Sequence, residues 1–183
     1  MEKDEILYLR FLEGDETAFK ELVLRHREAL VLFIYGFVHQ MEDAEDLMME
    51  TFARLLASHS PFKGKSSFKT WLFTIGRNLA LMQVRKERFW NKSVDIQGTG
   101  SQMPGLDLEL LQEERNRILY QGLESLHTDY RQVLFLIYFE NMSYAEAGEV
   151  MKKNEKQITN LAYRGKKALK DFLEKEGFEY EGY

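Results

Sequence analysis

The chain is predicted to be all-α, with two small helical domains joined by a flexible linker and a helix-turn-helix in the second. Three observations predict this. Apolar residues recur at amphipathic-helix spacing along nearly the whole 183-residue length, and no segment alternates as a strand would. Only two prolines occur, Pro61 and Pro104, and both stand where the helical period breaks, so they separate helices rather than kink them. Residues 91–105 have no period and collect Asn91, Gly98, Gly100, Ser101, Pro104 and Gly105, the composition of a flexible linker. The expected division is a helical domain over 1–90, a linker over 91–107 and a helix-turn-helix domain over 108–183.

The elements follow in order. Residues 4–13 read as a short helix, and Asp15 is placed to cap a long one whose Phe19, Leu22, Val23, Leu30, Phe33, Ile34 and Phe37 form a broad apolar face. A third helix over 43–57 sets Ala44, Leu47, Met48, Thr51 and Leu55 on one side and Asp43, Asp46, Glu50 and Arg54 on another. After a loop over 58–66, a fourth helix runs over 67–88. Beyond the linker, helices are expected near 106–126, 128–140, 144–151 and 155–175.

Composition narrows the function. With no cysteine, neither a disulfide framework nor a thiolate metal site can form, which fits a reducing cytoplasm. The start, Met1-Glu2-Lys3-Asp4-Glu5, is acidic where a secretion signal is basic, and the longest apolar run, 29–38, is about half a membrane span. A cytoplasmic protein without membrane insertion is the expectation. His26, His39, His59 and His127 have no metal-ligand spacing, and neither a Ser/His/Asp set nor a phosphate-cradling glycine loop is evident, so no enzyme, metal or cofactor is expected.

The net charge of −5 hides two basic islands. Residues 62–92 carry 8 Lys and Arg against 1 acid, and residues 151–170 carry 7 against 1, while 1–61 carry 6 against 13. Charge zoned this way points to a polyanion on two faces and repels it elsewhere.

The second island lies on a helix-turn-helix pattern. Ser143-Tyr144-Ala145-Glu146 is a capping box, and Asn154 with Gln157 makes a second one three residues after the first helix ends. On the second helix Ile158, Ala162, Gly165 and Leu169 keep helical spacing, which leaves Lys156, Gln157, Thr159, Asn160, Tyr163, Arg164, Lys166 and Lys167 outward. These side chains suit base edges and phosphates in a major groove. The competing reading is a solvated lysine-rich surface helix.

The first island interleaves cations with aromatics, a mixture suited to single strands, where cations follow the backbone and aromatic faces or pockets hold unstacked bases. Phe62, Lys63, Lys65 and Ser66, in the loop after Pro61, lead this group, with Phe68, Lys69 and Trp71 beside them. Trp71 and Phe73 also suit a bundle core. Arg77, Asn78, Arg85, Lys86 and Arg88 continue along the same helix.

These pieces resemble the small alternative sigma factors of bacterial RNA polymerase, the extracytoplasmic-function (ECF) type of the sigma-70 family. Asp43-Ala44-Glu45-Asp46-Leu47 with Glu50 and Phe52 resembles the family's polymerase-binding helix. Phe68-Lys69-Thr70-Trp71-Leu72 with Ile75, Arg77, Asn78, Leu79 and Ala80 resembles its promoter-melting segment, and residues 143–169 resemble its upstream-element reader. The resemblance implies that Asp43, Asp46, Leu47, Glu50 and Phe52 bind the largest polymerase subunit. It further implies that the loop from Phe62 to Trp71 captures unstacked bases of the −10 element, that Arg77, Asn78 and the following helix engage its duplex edge, and that the last helix reads the −35 element. Core RNA polymerase, promoter DNA both duplex and melted, and an anti-sigma factor are the implied partners. The chain departs from the family pattern at Met82, where many members have Asp, at Lys152 and Lys153, where a turn glycine and an apolar residue are usual, and at Leu161, where an outward arginine is common. Altered upstream readout and a loosely packed turn are the corresponding expectations. Two rivals remain: a stand-alone helix-turn-helix regulator, and a protein that binds polymerase without recognising promoters.

Overall fold

A computed structural model describes residues 2–58, 66–91 and 114–177. Its described secondary structure is entirely helical. Backbone contacts group the helices before residue 92, with Glu149–Lys152, into one compact unit and the remaining described residues from Glu114 into another. The expected linker residues 92–107 lie outside the described residues; Asn91 is still helical.

The first unit is built around α2 (Glu16–Val38), against which α1 (Asp4–Leu12), α3 (Met41–Ser58) and α4 (Phe68–Asn91) all pack. Asp15 caps α2 as the sequence predicts, its Oδ1 accepting the amides of Thr17 at 3.0 Å and Ala18 at 3.3 Å. Bonds from the Thr17 hydroxyl and then from Arg10 hold the Asp15 carboxyl at about 2, well below the ordinary carboxylate range. The predicted face of α2 is the core: Leu22, Leu30, Phe33, Ile34 and Phe37 are buried. Gly76 lets α4 cross close over it, since a Cβ there would stand 2.8 Å from Leu30 Cδ1.

The second unit packs α8 (Glu155–Lys175) on α5 (Glu114–Ser125) and α6 (Thr128–Leu134). A π-helical turn, Phe135–Phe139, continues α6 and closes on Asn141 in the left-handed region, where an asparagine is tolerated better than most residues. Arg131 ties the corner between α5 and α6 by donating to the carbonyls of Leu123, Glu124 and Leu126. Gly122 and Gly165 let α8 approach: a Cβ on Gly122 would meet Leu169 at 2.8 Å, and one on Gly165 would meet Leu134 and Tyr130 at 3.3 Å. The helix α7 (Tyr144–Met151) precedes α8, with residues 152–154 between them.

Candidate nucleic-acid interface

Both capping boxes read from the sequence are formed. Ser143 Oγ accepts the Glu146 amide at 3.2 Å, and the Glu146 carboxylate accepts the Ser143 amide at 2.9 Å. Asn154 Oδ1 accepts the Gln157 amide and Gln157 Oε1 accepts the Asn154 amide, each at 2.9 Å. Two separately capped helices therefore follow one another with three residues between them, and the reciprocal bonds fix the direction in which α8 leaves the turn.

That turn is tighter than its lysines suggest. Lys152 takes the left-handed backbone that a glycine would adopt freely, with φ of 54°. Lys153 donates its amide to Gly148 O at 2.9 Å and its ammonium lies 3.4 Å from Asp129. Close passage is secured instead at Gly148, where a Cβ would stand 2.6 Å from Lys153 O. The expectation of a loosely packed turn is corrected on that ground, and Gly148 went unnoticed because one glycine in a helical pattern has no local signature.

On α8 the outward set lies where its period puts it. Ile158 and Ala162 are buried, while Lys156, Gln157, Thr159, Asn160, Tyr163, Arg164, Lys166 and Lys167 are all exposed, Tyr163 at 68%. Three of the eight are already engaged: Gln157 in its cap, Thr159 donating to Glu155 O at 2.9 Å, and Lys166 with its ammonium 5.9 Å from the Tyr138 ring centroid. Leu161 is half-buried, turned partly toward the core rather than outward.

The central island divides differently. Phe62, Lys63 and Lys65 lie outside the described residues. Ser66, Lys69, Trp71 and Asn78 are half-buried. Phe68 is wholly buried, its ring 5.5 Å from Tyr8, 5.9 Å from His26 and 6.2 Å from Trp71. It is a core residue, and the expectation of an exposed base-holding ring is corrected, because α1 and α2 close over the start of α4. Arg77, at 8% exposure, is likewise buried rather than an open cation at a duplex edge. Arg85, Lys86 and Arg88 are exposed further along, beside Phe89 and Trp90 at 80% and 69% exposure. Those two rings were missed because position beyond the core crossing, not residue type, decides their exposure.

On α3, Leu47 and Phe52 are buried, so neither is an open apolar contact; Phe52 packs edge-on to Phe19 at 6.0 Å. Asp46 and Glu50 are exposed and Asp43 half-buried, with Glu50 paired to Arg54 at 2.6 Å. The large apolar residues left open on this helix are Met49 and Leu56. Both fall off the Ala44, Leu47, Thr51, Leu55 stripe, and that displacement was the signal available for finding them.

Residues 22–89 match the family model for sigma-70 region 2, and residues 116–169 match that for sigma-70 region 4. The chain belongs to the sigma-70 family, as an ECF-type factor. It is 28% identical to the ECF RNA polymerase sigma factor SigX of Bacillus subtilis, over 87% of this chain and 85% of that one. It is also 28% identical to the RNA polymerase sigma-H factor of Pseudomonas aeruginosa, over 94% and 95%. Among solved structures, it resembles the sigma factor RpoE of Bartonella quintana in complex with the anti-sigma factor NepR, at 26% identity and a TM-score of 0.73 over 85% of this chain and 96% of that one. The region 2 match ends within α4 and the region 4 match spans α5 to α8, so the two basic islands of this sigma-70 family member fall largely in separate matched regions. Among the described residues no helix is long and apolar enough to cross a membrane.

Proposed function

We propose that this chain is a promoter-specificity subunit: it joins core RNA polymerase, recognises −10 and −35 elements and promotes DNA melting for transcription initiation. The observation that carries the reading is the exposed, donor-rich face of α8, set behind two formed capping boxes in the region-4 match. Family membership adds polymerase as the setting, and the acidic outer side of α3, with Asp46 and Glu50 exposed, suits a basic surface on it.

The energetic logic is a division of labour. Contacts from α8 to closed duplex fix register and the exposed end of α4 meets the duplex edge, while the segment from Phe62 to Trp71 gains contacts only as bases leave the stack, so binding energy favours the opened state. Polymerase raises the effective concentration of one DNA-contacting region once the other is bound. The protein itself breaks no bond. It acts in the cytoplasm, where polymerase and chromosome are, and an anti-sigma partner holds it when idle; the similar RpoE structure is a complex with such a partner. Run-off transcription with core polymerase tests the reading. Promoter-dependent initiation is expected, whereas tight duplex binding without any initiation would favour a stand-alone helix-turn-helix regulator.

A further inference from the structure

The region-2 match begins at residue 22, inside α2, and so leaves α1 unassigned. Yet α1 reaches the first turn of α4, the helix that carries the promoter-melting segment. Glu5 Oε1 accepts the Phe68 amide at 2.9 Å, a bond spanning 63 residues of sequence. Ser67 Oγ accepts the Thr70 amide at 3.2 Å, so two of the amides that a helix leaves orphaned at its start are satisfied, one from within the segment and one from α1. A carboxylate at that end also meets the positive pole of the helix.

Packing reinforces the bond. Tyr8, one turn along α1, is wholly buried, with its ring 5.5 Å from Phe68 and 5.4 Å, edge-on, from Trp71. The helix α1 is itself anchored to α2: Asp4 bonds His26 Nε2 at 2.7 Å and Arg25 Nη1 at 2.9 Å, and the same Arg25 nitrogen donates to Glu2 O at 2.7 Å. Burial raises the Asp4 pKa, but the bonds and charges of His26 and Arg25 outweigh it and leave the carboxyl below its ordinary value, hence ionised. A continuous path therefore runs from Arg25 and His26 through Asp4 to Glu5 and Tyr8, and on to Phe68 and Trp71.

We propose that α1 is a positioning element for promoter opening and that Glu5 is the residue through which it acts. Glu5 touches no DNA. It fixes the backbone at Phe68 and so sets the start of α4, the helix read as engaging the melting promoter. The inference rests on the sigma-factor reading above.

The test uses full-length protein reconstituted with core RNA polymerase on a promoter selected with the wild type. Glu5→Ala should slow opening, read as permanganate reactivity of unpaired thymines, by about tenfold, the size of effect that losing a helix cap carries. Core-polymerase affinity should stay near wild type, and the thermal midpoint should fall by no more than the few degrees that losing one helix cap costs. Glu5→Gln, which keeps an oxygen able to accept the Phe68 amide, should restore most of the rate. Opening at the wild-type rate in Glu5→Ala overturns the proposal. So does a parallel fall in midpoint, polymerase affinity and opening, which marks Glu5 as merely structural. A wild-type holoenzyme that opens no promoter removes the functional reading itself, a failure plainly different from an active wild type matched by an equally active Glu5→Ala.

Discussion

The two basic islands lie largely on two long helices, α4 and α8, of 24 and 21 residues, and the fold treats them differently. In α8 a narrow stripe of Ile158, Ala162, Gly165 and Leu173 is buried and the donor face opposite stays open. In α4 the first half is enclosed on more than one side, burying Phe68, Thr70, Leu72, Phe73, Arg77, Leu79 and Ala80, while Met82, Arg85, Lys86, Arg88, Phe89 and Trp90 remain exposed beyond it. Residue chemistry names a nucleic-acid surface correctly only where a helix has one buried side. Where several helices close around it, an aromatic or an arginine is claimed by the core first.

The largest test of that contrast is a pair of aromatic truncations. Phe68→Ala should destabilise the protein by about 3–5 kcal/mol, because it removes a fully buried ring and leaves a cavity among Tyr8, His26 and Trp71. Tyr163→Ala, at a ring 68% exposed, should fall within about 0.5 kcal/mol of wild type. Chemical denaturation measures both. A Phe68→Ala protein of unchanged midpoint that no longer opens promoters would return that ring to the nucleic acid and dissolve the distinction.

A smaller effect should appear on α8, and in binding rather than stability. Replacing Arg164 and Lys167 with alanine should leave the unfolding midpoint unchanged, weaken duplex binding by the holoenzyme, and flatten its salt dependence by about 2 logarithmic units per decade if each cation meets one phosphate. Titrations at several salt concentrations read the slope. An unchanged slope would mean that the open face of α8 is a solvated surface, as its composition alone allows.

Much of the fold was legible because its signals are local. Helix ends followed from Asp15, Ser143 with Glu146 and Asn154 with Gln157, whose capping bonds lie within three residues of sequence. The core stripe of α2 and the outward set of α8 followed from period. What escaped depends on distant pairing. Glu5 meets Phe68 across 63 residues, and nothing in the short α1 pattern marks it as a cap for another helix. Leu47 and Phe52 read by resemblance as part of a binding face with at least one of them in the core; both are buried, leaving Met49 and Leu56 outside.

The smallest prediction concerns the turn between α7 and α8, where α8 gains its orientation. Lys152 holds φ at 54°, a conformation costing a side-chain-bearing residue about 1–2 kcal/mol, whereas glycine adopts it freely but loses about 0.5–1 kcal/mol in backbone entropy on folding. Lys152→Gly should therefore stabilise the protein by less than about 1 kcal/mol, measured as a small rise in thermal midpoint. Its effect on DNA is separable, since removing one exposed cation lowers the salt slope by about 0.9 only if Lys152 meets a phosphate. A raised midpoint with unchanged slope leaves Lys152 as tolerated strain in a turn already secured at Gly148, and upstream recognition then lies with α8 alone. A raised midpoint with a lowered slope means that strain is retained because the lysine serves the backbone of DNA, which extends the DNA-contacting surface from α8 into its turn.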